Sequence, residues 1–249
     1  MPFQIWIHKY FYFLSIFSRF DRLKNKTLTL RFIFTLTSIF LLLTQCKQSS
    51  STSYVNTQSE SPLESIHEVQ DSPDRVVWQK PELVVNMLGD LKGKTVADLG
   101  AGTGYFAFRL LTKAEKVIAL DIDKRAIYII DSLKKNLPES DRARLITRLT
   151  PTYQAQLGEN EADIILCVNT YSFISNRTAY FTKVLKNLKK NGTLLIVDYK
   201  TKTTPLGPPM EQRLDIYTVE NEISKAGFII ESVDDTSLDY QYILKAKKP

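Results

Sequence analysis

The stretch that decides the fold runs Val96-Ala97-Asp98-Leu99-Gly100-Ala101-Gly102-Thr103-Gly104-Tyr105-Phe106. An apolar pair leads into an aspartate, and glycines at alternate positions then give way to a helical pattern. Glycine lacks a Cβ and tolerates positive φ, so a strand-to-helix turn of this kind lets the backbone approach a ligand closely. The turn also points the free N–H groups of the following helix into the crevice. The pattern therefore predicts a ligand-binding turn.

A second acid follows at the end of the next apolar run. Residues 117–120 read Val-Ile-Ala-Leu and lead into Asp121. A second parallel strand at this spacing places its terminal carboxylate beside a ribose. Together, the glycine turn and the downstream acid predict a cofactor that contains a nucleoside.

The glycine spacing distinguishes between nucleoside cofactors. A dinucleotide-binding turn has the spacing G-x-G-x-x-G, whereas the glycines here follow G-x-G-x-G, with Asp98 two residues before Gly100. A carboxylate that faces the crevice suits a cationic ligand and repels a pyrophosphate. The spacing thus disfavours an NAD-dependent oxidoreductase.

The glycine run resembles motif I of the class I S-adenosylmethionine (SAM) dependent methyltransferases, and the Ala-Leu-Asp-Ile-Asp stretch around Asp121 resembles their second motif. The resemblance implies that Asp98, Gly100 and Gly102 line the methionine end of SAM. It also implies that Asp121 binds the ribose hydroxyls and that Ile122 packs on the adenine. The expected cofactor-binding residues are Asp98, Gly100, Ala101, Gly102, Gly104, Asp121, Ile122 and Asn169.

From about residue 74 onward, apolar strands alternate with amphipathic helices, which is typical of a parallel sheet covered on both faces. The pattern predicts seven strands, at 95–99, 116–121, 145–147, 163–168, 193–198, 228–233 and 241–245. The resemblance implies an α/β, Rossmann-like, mostly parallel sheet of order 3-2-1-4-5-7-6, with the last strand antiparallel and helices on both faces. A single domain, 74–249, accounts for all of these elements.

The helices are predicted from apolar periodicity and capping residues. One begins at Pro81, one spans about 105–112 and one spans about 178–189, with Leu188 on its buried face. Another follows Asp121 and is expected to turn Ala126, Ile127, Ile130 and Leu133 inward. Thr218 is expected to cap the last helix, which Gly227 ends.

The first 73 residues are expected to lie outside the fold. Residues 32–45 carry no charge and follow several basic residues. They are shorter than the roughly 20 residues that cross a bilayer as a helix and suit the apolar region of a secretory signal. The segment 1–46 resembles a bacterial lipoprotein signal that ends at Cys46, although Gln45 stands where that pattern prefers a small residue. An uncleaved membrane anchor is the alternative.

Residues 47–73 are rich in Ser, Gln, Glu and Asp and are expected to form a disordered tether. Basic residues before residue 32 predict an N-terminus on the cytosolic side and a domain outside. The expected location is therefore the membrane of a bacterial cell envelope. Because SAM is made in the cytosol, the cytosolic face remains open as the alternative.

Composition limits the partners and the chemistry. The net charge of +6 is modest and dispersed, which disfavours a nucleic-acid partner. Cys46 and Cys167 lie far apart and form neither a disulfide framework nor a zinc site, so no metal is expected. The two histidines, His8 and His67, precede the domain, so imidazole catalysis within it is not expected. The sequence indicates no oligomer interface.

In an open α/β sheet, ligands bind beyond the carboxyl ends of the strands, near the switch in strand order. Asn169, Tyr171 and Asp198 follow or end such strands and are the catalytic candidates, as groups that position the acceptor. SAM carries its own sulfonium leaving group, so orientation is the main task of the protein. Each candidate also has a purely structural alternative, as a residue that satisfies backbone groups in a loop or strand end.

Four short stretches resemble a bacterial branch of these enzymes, similar to methyltransferase types 11 and 25, that acts on small molecules. They lie at 78–81, 168–171, 207–209 and 240–242. That branch commonly has a histidine pair where this chain has Ser172 and Phe173. We therefore expect a SAM-dependent methyltransferase with an unidentified small-molecule acceptor. The alternative is a catalytically silent SAM-binding protein of the cell envelope.

Overall fold

The structure, a computed structural model, describes residues 74–249. The expected signal, the lipidated Cys46 and the tether lie outside the described residues. The strands are β1 (Thr95–Leu99), β2 (Lys116–Asp121), β3 (Leu145–Leu149), β4 (Ala162–Val168), β5 (Leu188–Tyr199), β6 (Ile229–Asp234) and β7 (Gln241–Lys247). The helices are α1 (Arg75–Gln79), α2 (Pro81–Asn86), α3 (Tyr105–Leu111), α4 (Lys124–Lys134), α5 (Glu139–Arg144), α6 (Arg177–Asn187) and α7 (Ile216–Lys225). Short 3-10 turns lie at Tyr171–Phe173 and Met210–Gln212.

The strands form one seven-stranded sheet of order β3-β2-β1-β4-β5-β7-β6. β7 runs antiparallel to both β5 and β6, and the pairs among β1 to β5 are parallel. This confirms the expected strand order and fold class. No helix within residues 74–249 is long and apolar enough to cross a membrane.

Alternating side chains of the strands supply two separate cores, as a two-residue strand period requires. In β4, Ile164 and Leu166 pack with α2, α3 and α4 on one face of the sheet. Ile165 and Cys167 pack with α6 and α7 on the other face. Both faces of the sheet are therefore covered, which explains why the central strands read as continuous apolar runs.

The strand register brings the functional candidates to one edge of the sheet. Leu99 at the end of β1 pairs with Leu120, one residue before Asp121. Val168 at the end of β4 pairs with Val197, so Asn169 and Asp198 follow at the same level. The parallel strands thus place Asp121, Asn169 and Asp198 at their common carboxyl edge.

Several local predictions are wrong in detail. Leu133 is 46% exposed and does not face the core, whereas Ala126 and Ile130 of the same helix are buried. Asp215, not Thr218, caps α7, since the Asp215 side chain accepts a hydrogen bond from the Thr218 N–H. Leu188 is buried as predicted, but it is the first residue of β5 because α6 ends at Asn187. The register between β4 and β5 is irregular after Leu188, where Asn191 has φ 60°, and regular pairing resumes at Thr193.

Helices α1 and α5 were not predicted, since neither is long enough to show apolar periodicity. The helix from Pro81 was predicted but ends early, at Asn86. Leu88 and Leu91 are nevertheless buried beyond its end. The short α1 matters most, because it carries two buried polar side chains to the edge of the candidate site.

Candidate cofactor and acceptor site

The glycine turn after β1 requires backbone conformations that other residues rarely adopt. Gly100, Gly102 and Gly104 have φ values of 81°, 54° and 93°. A Cβ on Gly100 would lie 2.1 Å from Oγ1 of Thr170, so the turn packs directly against the loop after β4. The N–H groups of Gly100 and Ala101 both donate to the Leu120 carbonyl, at 2.8 and 2.9 Å. The turn is therefore tied to β2 and packed closely against the Thr170 side chain after β4.

Asp98 is a buried acid at the start of this turn. Asp98 is 2% exposed, and its Oδ2 has no hydrogen-bond partner among residues 74–249. The pKa of Asp98 is raised to about 7, mainly by burial and also by the nearby Asp121, while Arg75 and a backbone hydrogen bond from Ala107 oppose the rise. A buried carboxylate without a partner costs free energy. A cationic ligand at this oxygen removes that cost.

Asp121 ends β2 and braces the same turn. Its Oδ2 accepts from the Gly102 N–H at 2.7 Å, and its Oδ1 accepts from the Asp123 N–H at 2.8 Å. A carboxylate oxygen has a further lone pair after one hydrogen bond, so Asp121 is still able to accept from hydroxyl groups. Next to it, Ile122 is 59% exposed and offers an apolar surface.

Asn169 is the first residue after β4 and has the left-handed conformation, with φ 55°. Its N–H donates to the Val197 carbonyl at 2.8 Å, which ties it to β5. Its side-chain Oδ1 accepts a hydrogen bond from the Gln241 amide. The residue therefore lies between the glycine turn and β5, at the switch in strand order.

The polar groups of Tyr171 and Asp198 are held by other parts of the protein. The Tyr171 hydroxyl donates to Oε2 of Glu222 at 2.7 Å, and Arg177 donates to both Glu222 carboxylate oxygens at 2.7 and 2.9 Å. Asp198 accepts from the Ser172 and Tyr199 N–H groups, at 3.0 and 2.8 Å. Both side chains therefore hold the turn at 171–173, as positioning or structural groups.

Titration behaviour agrees with that role. Burial raises the pKa of Tyr171 far above its usual range, and the hydrogen bond to Glu222 adds to the rise. Burial also raises the pKa of Asp198, which its two backbone donors partly offset. A tyrosine of this kind stays protonated at neutral pH, so it does not serve as a general base.

A segment after β5, residues 200–213, is folded over Tyr199. Gly207 (φ 102°) packs against the tyrosine ring, where a Cβ would lie 2.4 Å from Cε1. The Arg213 guanidinium lies 5.3 Å from the centre of the same ring. It donates to four carbonyl oxygens of the segment, those of Lys200, Lys202, Leu206 and Pro208. No sequence pattern predicts the role of Arg213, although the Gly-Pro-Pro stretch marks the segment.

A buried chain of polar side chains leads to Asn169, and no sequence pattern predicts it. We call this chain the polar relay; its members are Arg75, Gln79, Gln241 and Asn169. Arg75 Nε donates to Gln79 Oε1 at 2.5 Å, and Gln79 Nε2 donates to Gln241 Oε1 at 2.9 Å. The first three residues are at most 3% exposed. The stretches at 78–81 and 240–242, noted from resemblance alone, thus meet in space. Their partnership was not predictable from spacing.

No group of three or more His, Cys, Asp or Glu side chains within the described part of the chain is arranged to hold a metal ion. Cys167 is buried in the core, and burial raises the pKa of its thiol well above the usual value.

Comparison with known proteins identifies this arrangement. A family model described as a methyltransferase domain matches residues 90–246. The chain belongs to the methyltransferase-domain family. The match spans both acids, the glycine turn and the loops after β4 and β5.

A curated methyltransferase relative covers part of the chain. The tRNA U34 carboxymethyltransferase of Sulfurovum sp. (strain NBC37-1) is 31% identical over 123 residues, which is 48% of this chain and 39% of that protein. The chain thus matches well under two thirds of the length of that relative.

Solved structures share the fold. A SAM-dependent methyltransferase from Aquifex aeolicus superposes with a TM-score of 0.68 at 22% identity, over 74% of this chain and 98% of that one. Phosphoethanolamine N-methyltransferase 2 of Haemonchus contortus, in complex with SAM, superposes with a TM-score of 0.57 at 17% identity, over 69% of this chain and 53% of that one. Both solved structures thus show the shared fold, and SAM is the ligand in the Haemonchus structure.

The residues of the site fit SAM. SAM contains a cationic sulfonium and an amino acid, and Asp98 holds an unpartnered buried oxygen beside the bare turn. A second buried polar atom without a partner in the described range, the Tyr105 hydroxyl, lies on the first residue of α3 after the same turn. Asp121 and Ile122 offer a carboxylate and an exposed apolar side chain at the end of β2, as a ribose and an adenine require.

Proposed function

We propose that this methyltransferase transfers the methyl group of SAM to a small-molecule acceptor at the carboxyl ends of β1, β4 and β5. The observation that supports the proposal most is the buried Oδ2 of Asp98, which has no partner among residues 74–249 and lies at the start of a turn whose three glycines have positive φ. SAM, when bound, supplies a methyl group that its sulfonium sulfur already activates. The residues of the chain bind SAM, orient the acceptor and exclude water.

In this proposal, Asp98 holds the cationic methionine end of SAM, and the backbone of the turn approaches the cofactor closely. Asp121 accepts hydrogen bonds from the ribose, and Ile122 covers one face of the adenine. Ala101, Gly102 and Gly104 contribute backbone and space rather than functional groups. The burial and the hydrogen bonding of Asp98, Asp121 and Ile122 support these roles.

The acceptor is oriented by shape. Asp198 and Tyr171 keep the turn at 171–173 in place, so that half-exposed Phe173 borders the acceptor side. Orientation of two reacting groups lowers a barrier by as much as ~7–11 kcal/mol. Because residues 74–249 contain no histidine, we propose an acceptor atom that carries a free lone pair at neutral pH.

A small acceptor fits the segment 200–213 better than a macromolecule does. Arg213 fastens that segment over Tyr199, next to the ends of β4 and β5, and thereby narrows the approach to the site. The net charge of +6 is modest and dispersed along the sequence, which favours a small acceptor over RNA.

Cofactor binding is tested first, by calorimetry on the full-length protein with SAM and with its demethylated product, S-adenosylhomocysteine. We expect binding at micromolar strength, and we expect Asp121→Ala to weaken both ligands. Asp90→Ala is the matched control, because Asp90 is exposed and precedes β1 at the opposite edge of the sheet. Absence of binding to the unaltered protein contradicts the proposal.

Methyl transfer is tested with SAM that carries a labelled methyl group, offered together with either a metabolite extract or total RNA. We expect label in compounds that pass a filter of low molecular-weight cut-off. Label in the RNA fraction instead would replace the small-molecule acceptor with a nucleic acid. Cofactor binding without transfer to either fraction would favour a silent SAM-binding protein.

We further propose that residues 1–46 attach the protein to the membrane of a bacterial cell envelope, with lipidation at Cys46. The support comes from the sequence: basic residues, an uncharged stretch at 32–45 and then a cysteine. A labelled fatty acid should enter the wild-type protein and the Cys167→Ser variant but not the Cys46→Ser variant. A reporter enzyme at the C-terminus, active on one side of the inner membrane only, decides which face carries the domain.

A further inference from the structure

The polar relay has a direction that its first member imposes. A guanidinium has only donors, so Arg75 requires the oxygen of the Gln79 amide. The Gln79 nitrogen therefore faces Gln241 and takes the oxygen of that amide. The Gln241 nitrogen then faces Asn169 and donates to its Oδ1. One arginine thus orients three amides in sequence.

The consequence falls on Asn169, at the end of the relay. Its oxygen is turned toward Gln241, so its Nδ2 group, with two N–H donors, is turned the other way. Asn169 directly precedes Thr170, whose side chain packs against Gly100 of the cofactor turn. An amide donor in this partly buried position requires an acceptor.

We propose that the polar relay holds Asn169 as a hydrogen-bond donor to the carboxylate of the methionine part of SAM, with Arg75, Gln79 and Gln241 as positioning residues. The inference rests on the proposed function, because it names the contact that one end of the cofactor makes. It assigns a role to α1 and to the start of β7, which the glycine turn and the two acids leave unexplained.

The charges around the site favour this ligand group. The amino-acid end of SAM is a zwitterion, so its ammonium and its carboxylate require partners of opposite character. Asp98 is the acid for the ammonium. Arg75 lies close enough to lower the pKa of Asp98, so a buried positive charge adjoins the same end of the cofactor. Donors on one side and an acid on the other complement a zwitterion.

The direction of the relay allows a sharp test, because one substitution reverses it. In Gln79→Glu, a carboxylate accepts from Arg75 with one oxygen and offers the other to Gln241. The Gln241 amide must then turn its nitrogen toward position 79 and its oxygen toward Asn169. The Asn169 amide turns in response and presents an oxygen, instead of its donors, to the cofactor. Gln241→Glu produces the same reversal one step closer to the site.

The probes are S-adenosylhomocysteine, which carries the amino acid, and 5′-methylthioadenosine, which lacks it. Calorimetry on the full-length protein should show that Gln79→Glu and Gln241→Glu weaken S-adenosylhomocysteine by about ten- to one-hundredfold, the range for a hydrogen bond to a charged group. Affinity for 5′-methylthioadenosine should not change. Gln79→Met, which interrupts the relay without reversing it, should have a smaller effect. Exposed Asn136→Asp is the control for the added negative charge.

The outcomes separate the inference from the function it rests on. If the unaltered protein binds neither ligand, the proposed function fails and the inference falls with it. If the unaltered protein binds both, an equal loss for the two ligands in the Gln79→Glu variant means that the relay is merely structural, which overturns the inference. Equal effects of Gln79→Met and Gln79→Glu overturn it as well. Asn169→Asp, which is isosteric and leaves the other relay residues intact, must reproduce the selective loss if a relay variant fails to fold.

Discussion

The two halves of the site are built in different ways. The cofactor half, residues 98–104 with Asp121 and Ile122, consists of bare backbone and an acid whose buried oxygen has no partner in the described range. In the acceptor half, residues 169–173 and 198–213, the polar groups of Tyr171, Asp198 and Arg213 are all taken up by other parts of the protein. The first half is thus prepared for the charges of a ligand. The second supplies shape and rigidity, with Asn169 as the link between them.

The largest expected effect tests the bareness of the cofactor half. Gly100→Ala adds a Cβ within 2.1 Å of the Thr170 side chain and strains a backbone with φ 81°. Left-handed strain costs about 1–2 kcal/mol, and overpacking adds about 1–3 kcal/mol. We expect loss of measurable S-adenosylhomocysteine binding and a large fall in the free energy of unfolding, measured by urea titration and calorimetry.

Gly89→Ala is the matched control for that substitution. Gly89 has φ 80°, but a Cβ there meets nothing within 4 Å. The control therefore reports left-handed strain alone, and its cost should be about 1–2 kcal/mol with no change in ligand affinity. If the two variants behave alike, close packing between the turn and β4 does not matter for the cofactor.

The next effect concerns the acid of the cofactor half. Burial raises the pKa of Asp98 to about 7, so the free protein holds a proton there in mild acid and loses it in mild base. A cationic ligand end prefers the ionised form, so affinity for S-adenosylhomocysteine should rise as pH increases through neutrality. Asp98→Asn should weaken binding by about ten- to one-hundredfold at pH 8 and should remove most of that pH dependence.

Stability should move in the opposite direction. The unfolded chain loses the Asp98 proton at a lower pH than the folded one, so the unfolded state binds fewer protons between about pH 4 and pH 7. The ligand-free protein therefore loses stability as pH rises through that window, and the loss levels off above it. Asp98→Asn should raise the melting temperature of the free protein at pH 8. A variant that lowers both stability and affinity contradicts this account of the acid.

The same contrast explains what sequence was able to predict. The positions of the strands, the glycine turn and the acid after β2 follow from local patterns and short spacings, whereas the strand order was implied by the family resemblance; the structure confirms the sheet and its order. The partners of the acceptor half depend on contacts that no spacing reveals. Tyr171 meets Glu222 across 51 positions, and Gln79 meets Gln241 across 162.

Boundary errors have a physical origin too. Thr218 and Asp215 are both good capping residues. Asp215 is the cap because its backbone is extended, with φ −71° and ψ 152°, and its side chain accepts from the Thr218 N–H in the first turn of α7. Leu188 has the same apolar character in a helix or a strand, so its burial was predicted and its element was not. Ligand roles of the individual site residues remain predictions.

The third prediction separates structure from chemistry in the acceptor half. Glu222→Gln leaves the Arg177 guanidinium without its charged partner, and the pair is about one fifth exposed, with side-chain values of 23% and 21%. Solvent screens part of the loss, so we expect about 2 kcal/mol in the free energy of unfolding. Tyr171→Phe removes one hydrogen bond and should cost about 1 kcal/mol. Neither substitution should alter the affinity for S-adenosylhomocysteine in calorimetry. A clear fall in that affinity in either variant would mean that Tyr171 contributes to cofactor binding.

The smallest effect concerns the point where the segment 200–213 joins α7. Asp215 accepts from the Thr218 N–H at 2.9 Å and from its hydroxyl at 2.6 Å, and these bonds lower the pKa of Asp215. Asp215→Ala should cost about 1 kcal/mol, as loss of a helix cap does, whereas Thr218→Ala keeps the capped N–H and should cost less.

Because the folded pKa of Asp215 is lowered, the cap's contribution to stability is present above the unfolded pKa of about 4 and is lost as pH falls below it. Hydrogen exchange of the first-turn amides of α7 should speed up in Asp215→Ala at neutral pH, while cofactor affinity stays unchanged. If affinity falls as well, the two halves are coupled through this segment.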